Sequence, residues 1–260
     1  MDELAKTERT LPNLIAVVFA IVFPTLVTLV YFKWLSDHPP STQLLAAGIG
    51  KTIQFALPVV WVWFFFRYRF GRNGAKTDSD SGSEKEKGLF STLPNWLWAV
   101  GFGIDVCIIM GIAWWVLSGG EQLAEMTLRV EEKVGGLGMT NVWKYALLSL
   151  FYALGHSFLE EYYWRWFVYD MLKRFVNVPL ANLISSLGFM AHHVVLLSVY
   201  FGWTSWMTWL CSAGVAIGGM YWAWLYEKSK TLLWPWVSHM VVDAGIFVLG
   251  YFLVKKIFVG

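Results

Sequence analysis

The segment Gly155-His156-Ser157-Phe158-Leu159-Glu160-Glu161-Tyr162-Tyr163-Trp164-Arg165 sets a histidine, two adjacent glutamates and an arginine in otherwise apolar and aromatic sequence. Two further apolar segments carry ionisable groups: Phe189-Met190-Ala191-His192-His193, and Trp234-Pro235-Trp236-Val237-Ser238-His239-Met240-Val241-Val242-Asp243. Four of the five histidines fall in these three segments, so their placement is not a matter of composition. A glutamate and a histidine held together can deprotonate a water for attack on a carbonyl. A second histidine with a polar neighbour can stabilise the oxyanion that develops. Two histidines and a carboxylate can alternatively hold zinc, with Glu160, His193 and His239 as the candidate ligands. No HExxH is present, so no local motif supports the soluble zinc-protease arrangement.

The local spacing assigns different roles to the two glutamates. On a helix, Glu161 and Arg165 stand one turn apart with the acid N-terminal, the favoured order for an ion pair. Glu160 points roughly 100° away and shares a face with His156. One glutamate is therefore neutralised and the other left available. His239 and Asp243 are also one turn apart and converge.

The elements that must position these groups are membrane helices. Of 260 residues, 57% are hydrophobic and only 15% charged, where a soluble domain of this size carries about 25%. Apolar runs of about 20 residues or more, several of them nearly free of charge, read as spans of about 12–35, 44–66, 94–117, 142–172, 180–200, 204–226 and 231–254. The fourth is too long to cross upright and must tilt, break or project. The stretch 119–141, with Leu123, Met126, Val130 and Val134 among charges, suits an amphipathic interfacial helix. The expected fold is all-α, a single polytopic membrane domain over 1–260 with seven to eight transmembrane helices and a buried polar site. Counting 1.5 Å per residue from the cytoplasmic span ends, Glu160 and His193 lie about 20 Å deep and His239 about 12 Å, a common layer within the error of the ends.

Lys and Arg set the orientation. Residues 67–93 form a polar loop containing Arg67, Arg69, Arg72, Lys76, Lys85 and Lys87, which reads as cytoplasmic, as do Lys6 and Arg9. Lys173-Arg174 and Lys228/Lys230 then fall on the same side, whereas Lys255 and Lys256 fall outside and break the rule. A re-entrant or eighth segment would repair that. The first apolar run lacks a small-residue cleavage site and reads as a retained helix. A net charge of +2 without a basic stripe argues against nucleic acid as a partner. Cys107 and Cys211, both inside spans, read as packing residues. Gly214 and Gly218 form a GxxxG, a weak close-packing signal.

Glu160-Glu161-x-x-x-Arg165, Phe189-x-x-x-His193 and His239-x-x-x-Asp243 together resemble the three motifs of the CAAX prenyl protease type II and bacteriocin-processing (CPBP, or Abi) intramembrane proteases. Order and spacing match, one motif to a span, and the resemblance covers about 140–250, the expected catalytic core. It implies an eight-helix fold and a glutamate-dependent endopeptidase acting without a cofactor. In that picture Glu160 and His193 activate water, His239 with Asp243 forms the oxyanion site, and Glu161, Arg165, His156 and His192 support them. The implied partners are the bilayer and a membrane-anchored or lipidated peptide substrate, in a prokaryotic cytoplasmic membrane. The sequence is silent on oligomeric state.

Many relatives carry asparagine where this chain has Asp243. An ionised aspartate cannot donate to an oxyanion. Asp243 is then protonated, or orients His239, or ligates a metal. Two other classes compete with a peptidase. One is a non-catalytic scaffold or immunity protein of the same fold, disfavoured by the intact Glu160, His193 and His239. The other is a proton-coupled transporter, since carboxylates and histidines in spans also build proton relays, although the chain shows no internal repeat.

Overall fold

The computed structural model describes residues 10–66, 93–136, 138–139 and 141–258. Lys6, Arg9 and residues 67–92 of the basic loop lie outside it. Among the described residues, eight helices follow in chain order. They are α1 (Leu11–Leu29, continued by a π turn over Val30–Trp34), α2 (Pro40–Phe66), α3 (Asn95–Leu117), α4 (Glu121–Gly136) and α5 (142–172). Then come α6 (Val178–Phe201), α7 (Trp206–Ser229) and α8 (Leu233–Val254, ending in a 3-10 turn over Lys255–Phe258). The side chains of Asn141, Asn177 and Ser205 accept hydrogen bonds from the first turns of α5, α6 and α7, satisfying backbone donors that a helix start leaves free.

The burial pattern is inverted relative to a water-soluble protein. On α3, Ile109 is 65% and Trp115 77% exposed, whereas Arg165 and Glu161 are among the largest wholly buried side chains. Apolar residues facing outward around a polar interior suit hydrocarbon as the solvent. Leu11–Trp34, Pro40–Phe64, Asn95–Leu117, Val178–Phe201 and Leu233–Phe258 are each long and apolar enough to cross a membrane. Two long helices fall short of that measure for a visible reason. The helix α5 carries the charged cluster, and α7 turns Thr208, Ser212 and Gly219 inward. The amphipathic stretch forms α4, as expected. The protein is an all-α, polytopic membrane protein.

The long fourth segment does not break. Its α-helical pieces Val142–Leu150, Ser157–Glu161 and Asp170–Leu172 are joined by π-helical stretches, Phe151–His156 and Tyr162–Tyr169. The two glutamates thus sit on a short α-helical piece between two wider turns, which re-aim side chains relative to a regular helix. Such turns disturb the backbone ladder, and neighbouring helices fill in. Trp236 Nε1 of α8 donates to the Leu154 carbonyl at 3.0 Å. In α1, Pro24 cannot donate to the carbonyl four residues back, and Tyr163 Oη of α5 donates to that Ala20 carbonyl at 2.7 Å.

Close approaches are made at glycines. A Cβ at Gly103 would stand 2.8 Å from Val241 Cβ and 3.2 Å from the Ser238 carbonyl oxygen, so α3 lies against α8 on the turn that carries His239. Overpacking of this kind costs about 1–3 kcal/mol. Gly103→Ala lowers the unfolding temperature in detergent, and Gly101→Ala, where a Cβ meets nothing within 4 Å, does not. Equal temperatures for the two variants would refute the seam. The GxxxG reading needs correcting in register: a Cβ at Gly214 meets nothing, and Gly219 is the glycine that touches Ser186 of α6. Cys107 and Cys211 are both free thiols.

At the end of the bundle where α5 and α7 meet, Lys173 Nζ pairs with Asp170 at 2.7 Å and Glu227 at 2.8 Å. Tyr169 donates to Glu227, Tyr226 to Asp170, and Lys230 also pairs with Glu227. Glu227 lies just past the apolar part of α7. Burial pushes its carboxyl up, but the hydrogen bonds from Lys173 and Lys230 outweigh that and hold it down to about 2. A carboxyl lowered on folding contributes stability above its ordinary value of 4.5, and loses it as pH falls towards 2. Glu227→Gln should therefore flatten the fall in unfolding temperature between those pH values; a slope unchanged from wild type would remove Glu227 from the network.

Candidate active site

The three motif segments meet inside the bundle. Glu160, 3% exposed, has imidazole nitrogens on three sides: His192 Nε2 of α6 at 3.5 Å, His156 Nε2 of its own helix at 3.8 Å, and His239 Nε2 of α8 at 3.8 Å. These separations are longer than a normal hydrogen bond but within ion-pair distance, so the imidazoles act on the carboxylate chiefly through space. His239 is held from its other side, where Nδ1 lies 2.8 Å from Glu161 Oε1. Glu161 Oε2 is in turn 3.0 Å from Arg165 Nε. Asp243 Oδ1 lies 3.6 Å from His239 Nε2, one turn along α8.

Arg165, Glu161 and His239 thus form a chain of contacts that ends at Glu160. With Nδ1–H donated to Glu161, His239 Nε2 faces Glu160 and Asp243, and it donates outward only when it also carries a proton. Aromatic faces fix the imidazole planes. Trp222 of α7 stacks on His239 at 4.0 Å between centroids, and Trp164 lies parallel to His192 at 5.8 Å. The Arg165 guanidinium sits over the Phe189 and Trp222 rings at 5.0 and 5.4 Å.

His193 occupies a different position from its neighbour. It is half-buried, its ring is 4.2 Å from that of His192, and its Nδ1 is 2.9 Å from the Phe189 carbonyl oxygen. An Nδ1–H donated to that carbonyl leaves Nε2 with a free lone pair. His192, 5% exposed, is the α6 histidine that lies against Glu160. Among the described residues, no three His, Cys, Asp or Glu side chains are grouped as ligands for one metal ion.

Trp164 is wholly buried and packs against His192, so it belongs to the core. Trp222 escaped the reading because one tryptophan among seventeen carries no positional signal. Lys51 and Phe55 of α2 escaped it too. Phe55 meets the His156 ring edge-on at 6.2 Å, and Lys51 is close enough to Glu160, His156 and His192 to interact with each through space. A charge inside an otherwise apolar span was the available signal.

Fold and site together define a polytopic α-helical membrane protein with an ionisable cluster enclosed by its helices. Residues 142–245, the stretch from α5 to α8 that holds all three motifs, match the family described as type II CAAX prenyl endopeptidase, Rce1-like. The match, over less than half of the chain, is to the family that its motifs resemble, a family of peptidases. No curated protein and no solved structure matches the chain.

Proposed function

We propose that the protein is an intramembrane endopeptidase that hydrolyses a peptide bond near the C-terminus of a lipidated or membrane-anchored protein or peptide. The observation that carries this reading is the Glu160 carboxylate, buried among three imidazole nitrogens at 3.5–3.8 Å. A water hydrogen-bonded to Glu160 and to the unprotonated Nε2 of His193 is deprotonated as it attacks the scissile carbonyl. The proton passes to the leaving amine, and the oxyanion forms beside His239. Asp243 Oδ1 lies 3.6 Å from His239 Nε2, which supports a role in orienting that ring beside the oxyanion.

The substrate's apolar part enters from the bilayer, between helices. On the outward face of α2, Leu44, Leu45, Gly48, Ile49, Thr52 and Ile53 line an open apolar groove of about 380 Å³, a surface on which such a chain can lie. The chemistry needs no cofactor. The test is cleavage of an S-prenylated CAAX peptide by the purified protein in lipid nanodiscs, with and without a strong zinc chelator. Cleavage that survives the chelator supports a water activated by side chains alone. Loss with the chelator and recovery with zinc would instead place Glu160, His193 and His239 around a metal. A proton-coupled transporter would show proton-dependent uptake, abolished by joint substitution of Glu160 and His193, and no cleavage.

A further inference from the structure

Lys51 is the cation that the chemistry above leaves unused. It lies near the middle of the apolar span Pro40–Phe64, where a charge is costly and marks function by default. Its Nζ is 5.5 Å from the Phe55 ring centroid, and that ring is 6.2 Å from His156, the imidazole beside Glu160. The ammonium is therefore two ring contacts from the site. Among the described residues no carboxylate lies within ion-pair distance of it, and the acid whose field it feels is Glu160. The cluster's other cation, Arg165, is already matched by Glu161. Lys51 thus stands at the edge of the catalytic cluster with no fixed anion.

We infer that Lys51 binds the free C-terminal carboxylate of the peptide substrate. This rests on the peptidase reading and adds a specificity determinant to it. A peptide cut near its C-terminus brings one obligatory anion into the site, its terminal carboxylate. Three extended residues span roughly 10 Å, and the contacts of 3.8, 6.2 and 5.5 Å that lead from Glu160 through His156 and Phe55 to Lys51 set an upper limit on the separation to be bridged. Phe55, under the lysine stem, gives the intervening side chains an apolar surface. A lysine at this point selects substrates that end shortly after the scissile bond, and rejects internal loops, which have no carboxylate to offer.

The experiment compares two S-prenylated peptides of identical sequence in nanodiscs, one with a C-terminal carboxylate and one with a carboxamide. A charge-assisted contact of this kind corresponds to a preference of roughly 10- to 100-fold in kcat/KM for the carboxylate. Lys51→Met should bring the ratio close to one. Both peptides are compared on the same protein, so any effect of the lost charge on Glu160 cancels in the ratio, and an unfolding temperature near that of wild type shows that the variant is folded. Lys51→Arg should keep most of the preference. A Lys51→Met protein that retains the wild-type ratio, or a wild-type protein without preference, overturns the assignment and leaves the peptidase reading standing. A wild-type protein that cleaves neither peptide overturns both.

Discussion

Glu160→Gln protein, reconstituted beside wild type, cleaves the prenylated peptide about a thousandfold more slowly while unfolding at nearly the same temperature. The expectation rests on what the amide keeps and what it loses. Glutamine has the volume of glutamate and can still hydrogen-bond to water and to the imidazoles of His156, His192 and His239 around it. It cannot take a proton from water. Packing therefore survives and the chemical step does not, so the loss falls on kcat rather than on KM. A companion His156→Gln, which removes a neighbour of Glu160 without removing the base, should cost much less. Cleavage by Glu160→Gln within tenfold of wild type would show that the water is activated elsewhere.

Arg165→Met lowers the unfolding free energy by about 3–5 kcal/mol, the usual result of removing one partner from a buried ion pair. Arg165 is 2% exposed, and its guanidinium touches Glu161, the Gly219 carbonyl and two aromatic faces. Methionine can refill much of that volume, but it leaves the Glu161 carboxylate uncompensated inside the bundle. Adding Glu161→Gln removes that charge and should restore much of the loss, giving a positive coupling in a double-mutant cycle. Activity should not return with stability, because the neutral amide still accepts from His239 Nδ1, 2.8 Å away, but no longer supplies the negative charge that steadies a protonated His239 beside the oxyanion. Denaturant titrations in one detergent, with cleavage assays on the same four proteins, separate the two effects. Additive losses in stability would mean that the pair is not coupled.

Much of this arrangement was readable along the chain. The Glu161–Arg165 pair follows from i,i+4 spacing alone, as does the proximity of His156 to Glu160 and of Asp243 to His239, because one helical turn brings such residues together wherever the helix lies. The extents of α1, α3, α6 and α8 followed from the length of charge-free runs, since a bilayer core demands about 20 apolar residues. The Rce1-like match over 142–245 spans the same three segments. What escaped the reading had no local period. The π-helical turns on either side of Ser157–Glu161 leave the hydrophobic pattern nearly unchanged, yet they alter how α5 is wound. Trp222 stacks on His239 from another helix, and nothing near it in sequence distinguishes it from the other tryptophans.

The division has a physical origin. Sequence by itself determined which residues bear charge, which stretches belong in hydrocarbon, and which groups one helix turn brings together. These depend on solvation and on the 3.6-residue period, both local properties. Only the tertiary structure decided which histidine of the His192-His193 pair lies against Glu160. Adjacent helical residues point about 100° apart, and the rotation of α6 about its axis is set by packing against α1 and α7, with Gly188 between Ile21 and Trp164, and Gly219 against Ser186. The same packing placed Lys51, from a helix outside the three motifs, at the edge of the cluster. Contacts between helices far apart in sequence depend on how side chains interlock across the whole bundle, and no single stretch of the chain carries that information.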